Sequence, residues 1–222
     1  MTTRRSLQSV ATHVLARRRH AVTGKFGLRA TPGGFGTPMF DLEVVRVAGG
    51  TLIHEVGGEQ TEHVPLHGNT IAELSRLVGV ALDPAFEVGH DTPPLDADAP
   101  LDVDVTEAEA IGAWLDLGWR IIDRVASEAT APTVLQLWPE HFDAGCSVEV
   151  AVGERCNLGA SPGDDAIDEP YLYVGPWTSD RPGDASFWNA PFGAVLLRSD
   201  VGSVDAGVDF LRQGLALLSS NP

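Results

Sequence analysis

Three short runs of alternating apolar and polar residues near the start of the chain are separated by glycine pairs, a layout that fits little but an antiparallel meander. Phe40, Leu42 and Val44 alternate with Asp41 and Glu43; Gly49-Gly50 then leads into residues 52–56, and Gly57-Gly58 into residues 63–66. Alternation of period two buries one face of a strand, and paired glycines supply the positive φ of tight hairpin turns. Phe26 and Leu28 predict a further short strand before Pro32, Gly33, Gly34 and Gly36. A strand rather than a helix follows that glycine loop, so it reads as a turn and not as a phosphate cradle.

Strands return after Pro132. Residues 134–137 form one; Ala144, Cys146, Val148 and Val150 alternate with Asp143, Gly145, Ser147 and Glu149 in a second; Gly153 turns into a third that carries Cys156. Residues 171–174 and 194–197 complete the set. Helices are predicted between and around these strands. Leu7, Val10, Ala11 and Val14 recur at helical spacing over residues 6–22, with Gly24 as a stop. Thr70-Ile71-Ala72-Glu73 has capping-box spacing and opens a short helix ended by Gly79. Thr106-Glu107-Ala108-Glu109 repeats that spacing at the head of the longest helix. Its stripe of Ala108, Ile111, Leu115, Trp119, Ile122 and Val125 suits packing across a sheet, with Trp114 off the stripe. Val204, Val208, Leu211, Leu215 and Leu218 close the chain with another amphipathic helix.

The fold expected is α+β: an antiparallel, curved β-sheet with amphipathic helices packed on one face, as a single domain over residues 1–222. An acidic, proline-rich connection at residues 83–104, with six Asp, one Glu and four Pro, separates two β-rich halves. A short edge strand is predicted at 101–105. The run DADAPLDVD lacks the glycine and closing Glu of a calcium loop. Ala30-Thr31-Pro32-Gly33 and Ala160-Ser161-Pro162-Gly163 match in type. A duplication would put both turns at related places on one sheet, whereas unrelated Pro-Gly turns read the same way.

Charge narrows the partners. Residues 1–46 carry eight basic and two acidic side chains; the rest carries seven basic and 29 acidic, for a net −16. Phosphates are repelled by such a surface, so nucleic acid is not an expected partner. No apolar run approaches the roughly 20 residues of a membrane span, and the basic N-terminus lacks the apolar segment of a secretory signal. Two cysteines give no disulfide framework, which favours a reducing, cytoplasmic setting. Oligomeric state and cofactor are not legible. His54, His63 and His67 fit no tight zinc-ligand spacing and read as exposed strand histidines.

Residues 135–189 hold three of the five Trp, both Tyr and both Cys, interleaved with acids, prolines and glycines. His141 and Asp143 are two apart, so on a strand both would face one side, the arrangement of a general base or a metal ligand; Pro139 argues instead for a turn. Glu169 is held extended before Pro170 and would project into a cavity or pair with Arg155 or Arg181. Asp164, after Pro162-Gly163, reads as a turn residue bonding backbone amides. Tyr171, Tyr173, Trp177 and Trp188 would stack on a flat or sugar-like ligand, or form a second aromatic core. The cysteines read as buried, inert thiols.

Leu137-Trp138-Pro139-Glu140-His141-Phe142-Asp143, Ser161-Pro162-Gly163-Asp164 and Glu169-Pro170-Tyr171-Leu172-Tyr173 resemble the motifs of a bacterial family of unknown function. The resemblance covers about a quarter of the chain and implies no activity. The residues themselves yield two expectations. One is a protein that binds a small molecule in an aromatic and acidic pocket, with or without catalysis: His141, Asp143 and Glu169 as catalytic candidates, Trp138, Asn157, Tyr171 and Trp188 as ligand contacts. A metal at His141, Asp143 and Glu169 is a weaker variant. The other is a non-catalytic interaction or assembly module whose aromatics are structural core.

Overall fold

The structure is a computed structural model that describes residues 2–89 and 91–219. The chain is α+β, with two five-stranded antiparallel sheets in place of one. It forms two compact units. The first comprises the chain up to Asp116 with Leu137–Phe142; the second comprises Leu117–Gln136 with the chain from Asp143 onward. The acidic segment 83–104 lies within the first.

In the first unit, α1 (Thr3–Val10) continues through a π-helical stretch, Ala11–Ala16, into α2 (Arg17–Thr23). Leu7, Val10, Ala11 and Val14 are buried as their spacing predicts, and all six residues of the π-helical stretch are buried with them. The sheet follows as β1 (Arg29–Thr31), β2 (Gly34–Gly36), β3 (Glu43–Ala48), β4 (Thr51–Val56) and β5 (Glu59–Pro65), each strand pairing with the next. The meander is as the glycine pairs require, and Pro32-Gly33 is the β1–β2 turn. Phe35, Val45, Val47, Leu52, Ile71, Leu74, Ile111 and Leu115 share one buried cluster with Leu137 and Phe142.

Four expectations change here. The strand predicted from Phe40 begins only at Glu43, because Asp41 and Leu42 adopt φ of +46° and +62° in a turn. Burial then falls on Glu43, Val45 and Val47 rather than on Val44, a one-residue slip that exchanges the faces of the strand. No strand forms at 101–105; Leu101 and Val103 are buried in irregular chain before α4 (Val105–Ala126) begins. Asp104, not Thr106, caps α4: its Oδ1 accepts the Glu107 amide at 2.8 Å, and its charge also suits the helix N-terminus. His54 is buried instead of exposed. The capping box at α3 (Ile71–Leu77) is closed in both directions by Thr70 and Glu73.

The second sheet has the order β10-β9-β8-β7-β6, from β6 (Gln136–Trp138), β7 (Asp143–Ala151), β8 (Glu154–Ser161), β9 (Tyr171–Pro176) and β10 (Ala194–Leu197). A 3-10 turn, Arg198–Asp200, leads to α5 (Val204–Ser219). In the second unit, Cys146, Leu158 and Val174 are cross-strand neighbours, as are Ala144, Ala160 and Leu172, so these side chains share one face. The later turns of α4 and the length of α5 pack on that face. Gly118 lies so close that an added Cβ would stand 2.3 Å from the Ala160 Cβ, while Gly207 faces Ile121 and Leu172, and Gly214 faces Val174. Both cysteines are free and buried there; burial pushes the thiols up to about 11 for Cys146 and about 12 for Cys156.

The two Pro-Gly turns that match in sequence occupy different places. One joins the first and second strands of its sheet, and the other follows β8 on the way to β9. Among the described residues no helix is long and apolar enough to cross a membrane.

Candidate functional site

The face of the second sheet opposite α4 and α5 carries the polar and aromatic residues. Strand pairing sets Gly145, Gly159 and Tyr173 side by side, and Ser147, Asn157 and Gly175 in the next rank. Tyr171, Tyr173 and Gly175 alternate along β9, so both phenols stand on this face, with ring centroids 6.1 Å apart. Tyr173 lies flat across β8: a Cβ on Gly159 would be 2.1 Å from its ring. Only glycine leaves room for that ring, whose hydroxyl reaches on to donate to Asp143 Oδ2 at 2.6 Å.

Beside it, the Tyr171 hydroxyl donates to Asp164 Oδ2 at 2.5 Å. Asp164 also fulfils its expected turn role, since its Oδ1 accepts the Ala166 and Ile167 amides at 2.7 and 2.8 Å. Burial raises the Tyr173 phenol well above its ordinary range, and Asp143 adds to the shift; burial and Asp164 do the same for Tyr171. Both phenols therefore stay protonated and act as donors. Phe192 packs against both rings, edge-on to Tyr173 at 6.2 Å. Asp143, Ser161 and Tyr171 are each less than a tenth exposed.

These groups come from three separate motifs. Asp143 ends LWPEHFD, Ser161 and Asp164 bound SPGD, and Tyr171 and Tyr173 end EPYLY. The fold brings Asp143 and Tyr171 into one cluster through Tyr173, expected from the sequence only as a stacking or core aromatic and not as a partner of Asp143. Its visible signal was its position two residues after Tyr171 on a strand.

The remaining candidates sit elsewhere. Asn157 lies farther along the same face, accepting the Trp177 indole N–H at 2.8 Å. Glu169 accepts the Ser199 amide at 2.6 Å, and that hydrogen bond holds its carboxyl below the usual range. Neither Arg155 nor Arg181 is its partner: Arg155 is tied to β7, and Arg181 caps the Thr178 and Asp180 carbonyls. Trp188 donates to the Pro182 carbonyl at 2.9 Å, with the Arg181 guanidinium 5.7 Å from its ring.

His141 and Trp138 belong to the first unit. Residues 139–142 form a turn in which Phe142 takes φ +56°, so strand alternation does not orient His141 with Asp143. His141 is about half exposed, with Nδ1 3.5 Å from Asp91 Oδ2. Trp138 packs against Phe26 at 6.1 Å. Among the described residues no group of three or more His, Cys, Asp or Glu is arranged to hold a metal ion.

Two polar groups of the first unit escaped sequence reasoning. Glu43 accepts from Arg18 through both oxygens, at 2.8 and 2.7 Å, and lies 3.0 Å from His54 Nε2. Glu140, inside the LWPEHFD motif, is 6% exposed, and among the described residues its Oε2 has no hydrogen-bond partner. No protein-family model, no curated protein and no solved structure matches this chain, so the chemistry of these sites rests on their own residues.

Proposed function

We propose that the chain binds a small polar molecule on the face of its second sheet opposite α4 and α5. The observation that carries this reading is the convergence of Asp143, Asp164, Tyr171 and Tyr173 from three motifs into two adjacent phenol–carboxylate pairs. Each phenol spends its proton on a carboxylate, so the cluster is rich in acceptors and favours a ligand that donates hydrogen bonds. The reading stops at binding. Asp143 and Asp164 accept from phenols and Glu169 accepts an amide, so all three carboxylates serve as acceptors within the fold.

The test is a thermal-shift screen of the purified chain against metabolites and divalent metals, with hits repeated on Asp143→Asn and Tyr173→Phe. Binding at 100 times Kd stabilises by about 2.7 kcal/mol, which is readily measured. Stabilisation lost in both variants supports the site; full retention in both, with the variants folded, refutes it.

A second reading is an interaction or assembly module in which this cluster is structural. It is favoured by the fit of the Tyr173 ring over Gly159, which is a packing feature. Under it, no ligand stabilises the protein, yet Tyr173→Phe lowers its melting temperature.

A further inference from the structure

The same face continues along β9 to Trp177, which is 64% exposed yet held in one orientation. Its backbone amide donates to the Arg155 carbonyl at 3.0 Å, and its indole N–H donates to Asn157 Oδ1 at 2.8 Å. The Arg155 guanidinium lies 6.0 Å from the ring centroid. That guanidinium is itself anchored: Nε donates to Ser147 Oγ at 3.0 Å, and Nη2 to the Ser147 and Ala131 carbonyls at 2.8 Å each. Between the Tyr173 and Trp177 rings stands Gly175, where an added Cβ would meet nothing nearer than 3.8 Å. The result is an open step flanked by two aromatic rings.

A large exposed aromatic normally loses rotamer freedom when a partner binds; here that ordering is already done by the fold. Preorganised Trp and Arg are the side chains that dominate binding surfaces. Two donors remain beside the ring, the Asn157 Nδ2 amide and Arg155 Nη1, neither engaged among the described residues. They call for acceptors at the ligand's edge while its flat, weakly polar face lies on the indole.

Charge narrows the class. A cation would meet Arg155 already over the ring. An anion would approach a chain of net charge −16, with Glu149 the cross-strand neighbour of Arg155. A neutral ring rimmed with hydroxyls satisfies the aromatic face and both donors. We infer that Trp177, Asn157 and Arg155 form a platform for a neutral sugar ring. The inference rests on the reading that this face binds a small molecule, and adds the class of that molecule.

The experiment uses the intact chain on an array of neutral and acidic glycans, followed by calorimetric titration with the best neutral oligosaccharide and, separately, with adenine as a flat non-sugar. The expected result is retention of neutral glycans. Affinity should fall about tenfold or more in Trp177→Ala and less in Trp177→Phe, with melting temperatures unchanged because the side chain is exposed. Binding of no glycan, of charged glycans only, or of adenine without any sugar overturns the assignment, as does wild-type affinity in Trp177→Ala. If Asp143→Asn and Tyr173→Phe lose a ligand that Trp177→Ala keeps, the platform falls and the phenol–carboxylate site stands. Loss in Trp177→Ala alone has the opposite meaning.

Discussion

Glu43 gathers a guanidinium and an imidazole around one carboxylate, with its own side chain 8% exposed. Burial alone would raise its pKa, but the Arg18 hydrogen bonds and charge, helped by His54, outweigh burial and hold it below the ordinary range. Removing it strands the two partners. Glu43→Ala should cost roughly 2–3 kcal/mol, less than a fully buried pair because Arg18 keeps some solvent contact; urea unfolding at pH 7 measures this. The sign with pH follows from the lowered folded value. The stabilisation is complete above the unfolded carboxylate pKa of about 4.3 and is lost as pH falls through the lower folded value. The gap in stability between wild type and Glu43→Ala should therefore narrow between about pH 5 and pH 3.

Glu140 poses the converse case. A buried carboxylate oxygen without a partner among the described residues is costly, so Glu140→Gln, which removes the charge and keeps the shape, should raise stability by roughly 1–2 kcal/mol. A loss of stability in the same unfolding measurement would show that the charge is compensated.

At the scale of elements, glycine sets how closely helices and rings approach the second sheet. Gly118→Ala drives a Cβ into Ala160 and should destabilise by about 1–3 kcal/mol, the usual cost of overpacking, despite the better helix propensity of alanine. Gly159→Ala is more local. Its Cβ would occupy the Tyr173 ring, so it should break the Tyr173–Asp143 hydrogen bond; a Tyr173 phenol titrating nearer its ordinary pKa in ultraviolet absorbance would report this. Neither contact was legible from spacing. Gly118 looks like a weak spot in a helical stripe and Gly159 like a weak spot in a strand, because the partner that requires the missing Cβ is distant in sequence.

For the whole molecule, two sheets in simple strand order account for why so much of the secondary structure was readable. Sequential hairpins depend on local turns and local alternation, and those are written in the chain. Charge acts at this scale as well. With 31 acidic against 15 basic side chains, self-repulsion opposes the compact state, so melting temperature should rise as sodium chloride is raised from low ionic strength to about 0.15 M. A flat or falling response would mean that local ion pairs outweigh the net field.

The sequence by itself determined the meander, the α3 capping box, the long amphipathic α4, the closing α5 and the burial of both cysteines, since each follows from spacing within a few residues. Tertiary structure decided the rest. It turned Glu43 inward, because Arg18 and His54 are there to meet it, and it placed the cap of α4 on Asp104. It also put His141 inside the turn that precedes β7, where strand alternation does not align it with Asp143 two residues on. Finally, it gathered Asp143, Asp164, Tyr171 and Tyr173 into one cluster: hydrogen bonds between residues seven and thirty positions apart depend on strand register, which no single segment specifies.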